Sequence, residues 1–129
     1  MKKQEQKEWK IIFYKTEAGK SPVTDFINGL SKESRKKLYS AIAYLKEKGT
    51  ELHRPQSALL RDGIRELRVQ LQGKNTRTLY FFEFDDYIIL THAFLKNTQK
   101  VPDKEIDRAL AYKRDFLQRF NKENIQEAE

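Results

Sequence analysis

From Ile64 onward the apolar residues stop recurring every third or fourth position and begin to alternate. Leu67, Val69 and Leu71 interleave with Glu66, Arg68 and Gln70, the period of a strand with one face buried. The turn-like Gln72-Gly73-Lys74-Asn75 leads into a strongly aromatic run, Thr76 to Phe84, and the tight Asp85-Asp86 turn leads into Tyr87 to Leu95. Three strands joined by such short turns pair most simply in chain order, which predicts an antiparallel meander. A meander with one apolar face needs other elements to cover it, and the remaining sequence supplies them.

Trp9 to Tyr14 is rich in aromatic and β-branched residues and reads as a further strand. Ser21-Pro22 gives an N-cap followed by proline at the first helical position, so a short helix runs to about Leu30. Ser31 caps the next helix, whose apolar residues Leu38, Ala41, Ile42 and Leu45 line one face before Gly49 stops it. Periodicity lapses from Thr50 to Leu60, and Arg54-Pro55 marks that stretch as a loop. Pro102 opens a last helix with the stripe Ile106, Ala109, Leu110, Leu117 and Phe120, interrupted by Lys113. The order implies an α+β fold: an N-terminal strand and helix pair, an antiparallel three-stranded meander and a C-terminal helix. The helices are expected on one sheet face, leaving the other for function. A single domain, 1–129, is expected, with an ordered core over 8–121 and a polar tail, 122–129, that frays.

The chain of 129 residues has no cysteine, which excludes disulfides, zinc–thiolate sites, iron–sulfur clusters and thiol nucleophiles. It has two histidines and no HExxH, P-loop or GxGxxG pattern, so neither a metal nor a cofactor is expected. The charged opening MKKQEQKEWK precedes only a short apolar run, unlike a secretory signal, and no apolar stretch is long enough for a membrane span. These features predict a cytoplasmic protein. A net charge of +7 favours polyanionic partners, although solubility alone accounts for such a charge in many small domains.

The basic residues concentrate where the strands are. Arg61, Arg65, Arg68, Lys74 and Arg77 fall within 17 residues that hold two acids, Asp62 and Glu66. Alternation puts Glu66 and Arg68 on the face opposite Leu67 and Val69. Arg77 follows on the neighbouring strand, and Lys96 ends the third strand in phase with His92 and Phe94. Arg68, Arg77 and Lys96 on one face would make a phosphate site, since guanidinium groups grip phosphate oxygens in pairs and lysine adds a mobile charge. Arg61, Arg65, Lys74 and Lys100 extend the basic surface, and Tyr80, Tyr87 and Phe94 offer rings for unpaired bases. The competing reading makes the basic groups ordinary exposed-strand residues and the rings core filling. Asp85-Asp86 reads as a turn and not as a catalytic carboxylate pair.

Four segments carry a resemblance to a known family. Leu60-Arg61-Asp62-Gly63-Ile64-Arg65-Glu66-Leu67-Arg68 resembles the DGL-x-ELR signature of HigB-type toxins in the RelE/ParE superfamily. Arg77-Thr78-Leu79-Tyr80-Phe81 is similar to their R-x-x-YF strand, and the segment from His92 to Pro102 to their H-x-F-x-KK-T-x-K-x-P stretch. Glu105-Ile106 and Ala109 match the start of their closing helix, so the likeness spans roughly residues 9–117. Asn97 stands where the family commonly has a second lysine, and Glu66 where RelE-like members often carry a base.

The resemblance implies the toxin of a type II toxin–antitoxin system. Such toxins typically cleave mRNA on the ribosome without a metal and are silenced by a cognate antitoxin, of helix-turn-helix type for HigB-like toxins, through which operator DNA is reached. Arg68 and Arg77 would then neutralise the phosphorane and Lys96 would assist the leaving side. Glu66 or His92 would be the base, unless Glu66 only orients Arg68 and His92 is an ordinary strand residue. The alternatives are a ParE-like protein that inhibits DNA gyrase by binding, or an inactive antitoxin-binding corepressor.

Overall fold

The computed structural model describes residues 7–129. Its elements, in order, are β1 (Lys10–Phe13), α1 (Pro22–Asn28), α2 (Lys32–Lys48), β2 (Ser57–Arg61), β3 (Ile64–Leu71), β4 (Lys74–Glu83), β5 (Tyr87–Leu95) and α3 (Asp103–Arg119). Short 3-10 turns follow α2 at Gly49–Glu51 and close the chain at Ile125–Ala128. The helix starts are those written in the sequence: Ser21 Oγ accepts from the Thr24 amide and Ser31 Oγ from the Ser34 amide. Gly49 ends α2 at φ 54°, close against the Trp9 indole.

The expected meander is the centre of a larger sheet. Five strands lie in the order β1-β5-β4-β3-β2. β2 pairs antiparallel with β3, in the stretch expected to be a loop. It is a five-residue edge strand with a register shift between Leu59 and Arg61, so no alternation betrays it. β1 runs parallel to β5, Ile12 opposite Ile89. The helix pair is the connection between β1 and the far edge of the sheet.

Helices cover both faces, which corrects the expectation of one covered and one open face. Leu67, Val69, Leu71, Tyr80, Ile88 and Leu90 form one core with Val23, Ile27, Leu38, Ile42 and Leu45 of α1 and α2. On the other face Ile12, Ile64, Leu79, Phe81 and Ile89 pack with Ile106, Ala109 and Phe116 of α3. Phe116 occupies the buried position expected of Leu117, which is exposed. Lys113, which interrupts the stripe, lays its ammonium 5.2 Å from the centre of the Phe81 ring.

Residues 122–129, expected to fray, fold back instead, and Ile125 is buried in the α3-side core. Tyr14 fastens α3 to β1: its hydroxyl donates to Asp115 Oδ2 at 2.6 Å, and Arg119 binds the same oxygen at 2.7 Å. Among the described residues, no helix is long and apolar enough to cross a membrane.

Candidate functional site

The register of the central strands decides which side chains meet. On the α3 side of the sheet Glu66 lies opposite Leu79, and Leu79 opposite His92. The next row is Arg68 opposite Arg77, and Arg77 opposite Phe94. α3 packs over the first row, whose Leu79 and His92 are buried, and the second row is the more open, with Arg68 and Phe94 partly exposed.

A bulge brings His92 into the row. Tyr80 pairs with Leu90 and Leu79 pairs with His92, so Thr91 is an extra residue without a partner on β4. Before it, Ile89 faces α3 and Leu90 faces α1 and α2. After it the parity reverses, and His92 and Phe94 share the face of Leu79 and Arg77.

Glu66 sits between the two arginines. Its Oε2 accepts from Arg68 Nη2 at 3.3 Å. Its Oε1 lies 2.7 Å from Arg77 Nε, an ion pair by distance whose angle misses that of a hydrogen bond. Arg77 Nη1 donates to the Thr76 carbonyl at 2.8 Å. The side chains of Glu66 and Arg77 are 5 % and 10 % exposed and that of Arg68 is 29 % exposed. The arginine pair is therefore recessed, which corrects the picture of exposed-strand residues. One carboxylate against two guanidiniums leaves this recess net positive, and Arg68 Nε is buried with no hydrogen-bond partner among the described residues. A buried donor without a partner costs stability unless something binds it. An anion seated beside Arg68 would do so.

His92 is buried under α3. Its Nδ1 is 3.1 Å from Thr91 Oγ1, and its Nε2 is 3.3 Å from Oε1 of Glu105 in the first turn of α3. The ring stacks with Phe94 at 5.6 Å and meets Tyr112 edge-on at 5.8 Å. Burial pushes the imidazole below its usual pKa; Glu105 pulls it up and Arg108 pushes it down. The imidazole thus favours its neutral form.

The remaining sequence candidates scatter. Lys96 stands at the end of β5, where its ammonium donates to the Gln99 carbonyl at 2.9 Å. Phe94 is half-buried on the His92 ring. Arg61 is tied to Asp107 at 2.7 Å and to Asp62 at 3.0 Å. Arg65 pairs with Tyr80 and so belongs to the opposite face from Glu66 and Arg68. Lys74 starts β4 at the exposed hairpin turn, and Lys100 is exposed in the loop before α3. Tyr80 and Tyr87 are core residues, which removes both as base-stacking rings; the Tyr80 hydroxyl bonds Ser57 Oγ inside the sheet. Asp85 does lie in a turn, at φ 67°. A cleft of about 420 Å³ opens elsewhere, between Phe26, Leu30, Leu71 and Leu95, and touches none of the Glu66, Arg68 and Arg77 group.

Sequence reasoning names Glu105 only as a match to the start of the closing helix and gives it no place in the site. The available signal was an acid three positions after the helix-opening Pro102, a common place for a first-turn carboxylate. Only the fold brings it against a histidine 13 residues earlier. Among the described residues, no group of three or more His, Asp or Glu side chains is placed to hold a metal ion.

Residues 25–114 match the family model described as Phage derived protein Gp49-like (DUF891). The match takes in the end of α1, all of α2, the four antiparallel strands and most of α3, and with them every residue of the recess. No curated protein matches the chain. The chain belongs to the Gp49-like family, which falls within the RelE-type group of toxin–antitoxin toxins, so membership implies an antitoxin partner.

Proposed function

We propose that this Gp49-like protein is the toxin of a type II toxin–antitoxin system and acts as a metal-independent endoribonuclease on mRNA, engaged on the ribosome and neutralised by a small helix-turn-helix antitoxin in the cytoplasm. The observation that carries the reading is the recessed pair Arg68 and Arg77, held side by side by one buried carboxylate. A carboxylate there fixes both guanidinium planes before substrate arrives. Preorganised positive charge of this kind stabilises a developing phosphorane by several kcal/mol, because no reorganisation is needed during the reaction.

In the proposed reaction the ribose 2′-oxygen attacks the adjacent phosphorus, the bond to the 5′-oxygen breaks, and a 2′,3′-cyclic phosphate and a 5′-hydroxyl result. Arg68 and Arg77 hold the non-bridging oxygens, and the Lys96 ammonium stands on the leaving side. Glu66 has both oxygens committed to arginines, so its part is to orient them. Lys74 and Lys100 add exposed charge for the RNA backbone, and the half-buried Phe94 offers the one candidate ring left for a base.

The test is translation of a defined mRNA on purified ribosomes, with cut sites mapped by primer extension. Discrete cuts with the protein, greatly reduced by Arg68→Ala, support the reading. Intact mRNA together with blocked gyrase supercoiling would replace it with a gyrase inhibitor. Intact mRNA and unaffected supercoiling would leave an antitoxin-binding protein without toxicity.

A further inference from the structure

If Glu66 is spent on the arginines, the proposed reaction lacks a group to take the 2′-proton. Three features of the α3 side supply one. His92 is 3 % exposed at its side chain, and both ring nitrogens are engaged, by Thr91 Oγ1 and by Glu105 Oε1. A histidine so enclosed has no face left for RNA. Glu105 is the more open partner, its side chain 15 % exposed. Its second oxygen, Oε2, makes no hydrogen bond among the described residues. The carboxylate also stands in the first turn of α3, where the helix dipole favours a negative charge.

The sheet brings this pair to the edge of the arginine recess. His92 lies diagonally across one strand from Arg77, since Leu79 pairs with His92 and Arg77 with Phe94. Diagonal neighbours of this kind have Cα atoms about 7–8 Å apart, which long side chains span easily.

We infer that Glu105 is the general base of the site and that His92 is the residue that positions it. The inference rests on the nuclease reading above. With the Thr91 hydroxyl turned to Nδ1 instead of to the Leu79 carbonyl, the neutral imidazole carries its hydrogen on Nε2, donates it to Glu105 Oε1 and turns Oε2 toward the recess. Oε2 takes the proton of the 2′-hydroxyl as the new oxygen–phosphorus bond forms. The bond to the 5′-oxygen breaks with its electron pair, and that oxygen takes a proton from the Lys96 ammonium. Solvent then removes the proton from Glu105 and restores that of Lys96, so atoms and charge balance. Burial, Glu105 and Arg108 shape the titration of His92; Tyr112 of α3 meets its ring, Arg77 lies on the adjacent strand and Glu66 one strand further.

Glu105→Gln tests the assignment, because an amide still bonds His92 and so keeps α3 anchored. Single-turnover cleavage of a defined mRNA on purified ribosomes is measured for the full chain and the variant across pH, with thermal melts of both. The expected result is a drop of about 100-fold or more in the cleavage rate at saturating enzyme, the usual scale for losing a general base. The half-saturating concentration changes little, the melt is unchanged, and the acid limb of the rate–pH profile disappears. An unchanged rate and profile in a folded Glu105→Gln protein overturns Glu105 as the base and leaves the nuclease intact. A lost rate with the acid limb retained also overturns it. If the unmodified protein cuts no RNA under these conditions, the nuclease reading itself falls, and this inference with it.

Discussion

Arg68 and Arg77 stand directly opposite one another on adjacent strands, and the buried Glu66 carboxylate reaches both. Like charges opposed across a sheet repel, and here one anion turns the repulsion into a held geometry. The two arginines are nevertheless unequal. Arg77 is nearly enclosed, whereas Arg68 keeps one edge in solvent. Arg68→Ala should therefore abolish mRNA cleavage, by about 100-fold or more, with a near-normal thermal melt. Arg77→Ala should also destabilise the fold, by roughly 3 kcal/mol, because it strips the closer counter-charge from a buried carboxylate. Urea melts of the two variants, set beside their cleavage rates, check the difference. Equal melts would show that Arg77 does not sustain Glu66.

His92 makes stability depend on pH on the acid side of neutrality. Its pKa is lowered in the folded protein, so the unfolded chain binds the proton more readily. Its contribution is fully present above the unfolded value of about 6.5 and is lost as pH falls toward the folded value. The melting temperature should thus fall on acidification below about pH 6.5, and His92→Gln should flatten that slope. A slope of equal size in the variant would assign the effect to other groups.

Tyr14→Phe should cost about 1.5–3 kcal/mol, the scale of one hydrogen bond to a charged group, measured by urea denaturation. Burial first, and then the bond to Asp115, push the Tyr14 phenol up to about 12, so it stays protonated and donating through the neutral range. The same bond is the largest cause that lowers the Asp115 pKa, with Arg119 adding to it. Asp115 therefore contributes stability above its unfolded value near 3.8, lost as pH falls further. The Tyr14→Phe protein should lose less on acidification through that range than the unmodified one.

Gly49→Ala should be strongly destabilising. An added Cβ would lie 1.9 Å from Trp9 Nε1, and the backbone there has φ 54°. Left-handed strain and overpacking together should cost at least about 2 kcal/mol. Thermal melts read it directly, and a neutral result would mean that Trp9 can leave its seat.

How much of this was legible in the sequence depended on how local the signal was. Ser21, Pro22, Ser31 and Gly49 act on their immediate neighbours and mark the helix ends correctly. The alternation of Leu67, Val69 and Leu71 likewise gives the side of the sheet that faces α1 and α2. β2 escaped because Ser57–Arg61 is short, edge-bound and shifted in register. The pairing of Ile12 with Ile89 joins residues far apart in the chain, and no local pattern records it. Alternation put Glu66 and Arg68 on one face but could not say that α3 would cover part of it. It could not separate Tyr80, sealed in the core, from Phe94, half open beside His92. The place of Glu105 in the site was illegible for the same reason: its meaning lies in the histidine it meets.

The unpaired Thr91 has a further consequence. It acts on β5 as a frame change does on a coding sequence: the same residues downstream are read out on opposite sides. With it, His92 and Phe94 point to the arginine rows. Were Thr91 instead to pair with Leu79 in unbroken register, Ala93 would stand opposite Arg77, with Leu95 on the same face. His92 and Phe94 would then press into the apolar side beneath α1 and α2. The chemistry of the site is thus written in where one strand steps out of register as much as in the kinds of its residues.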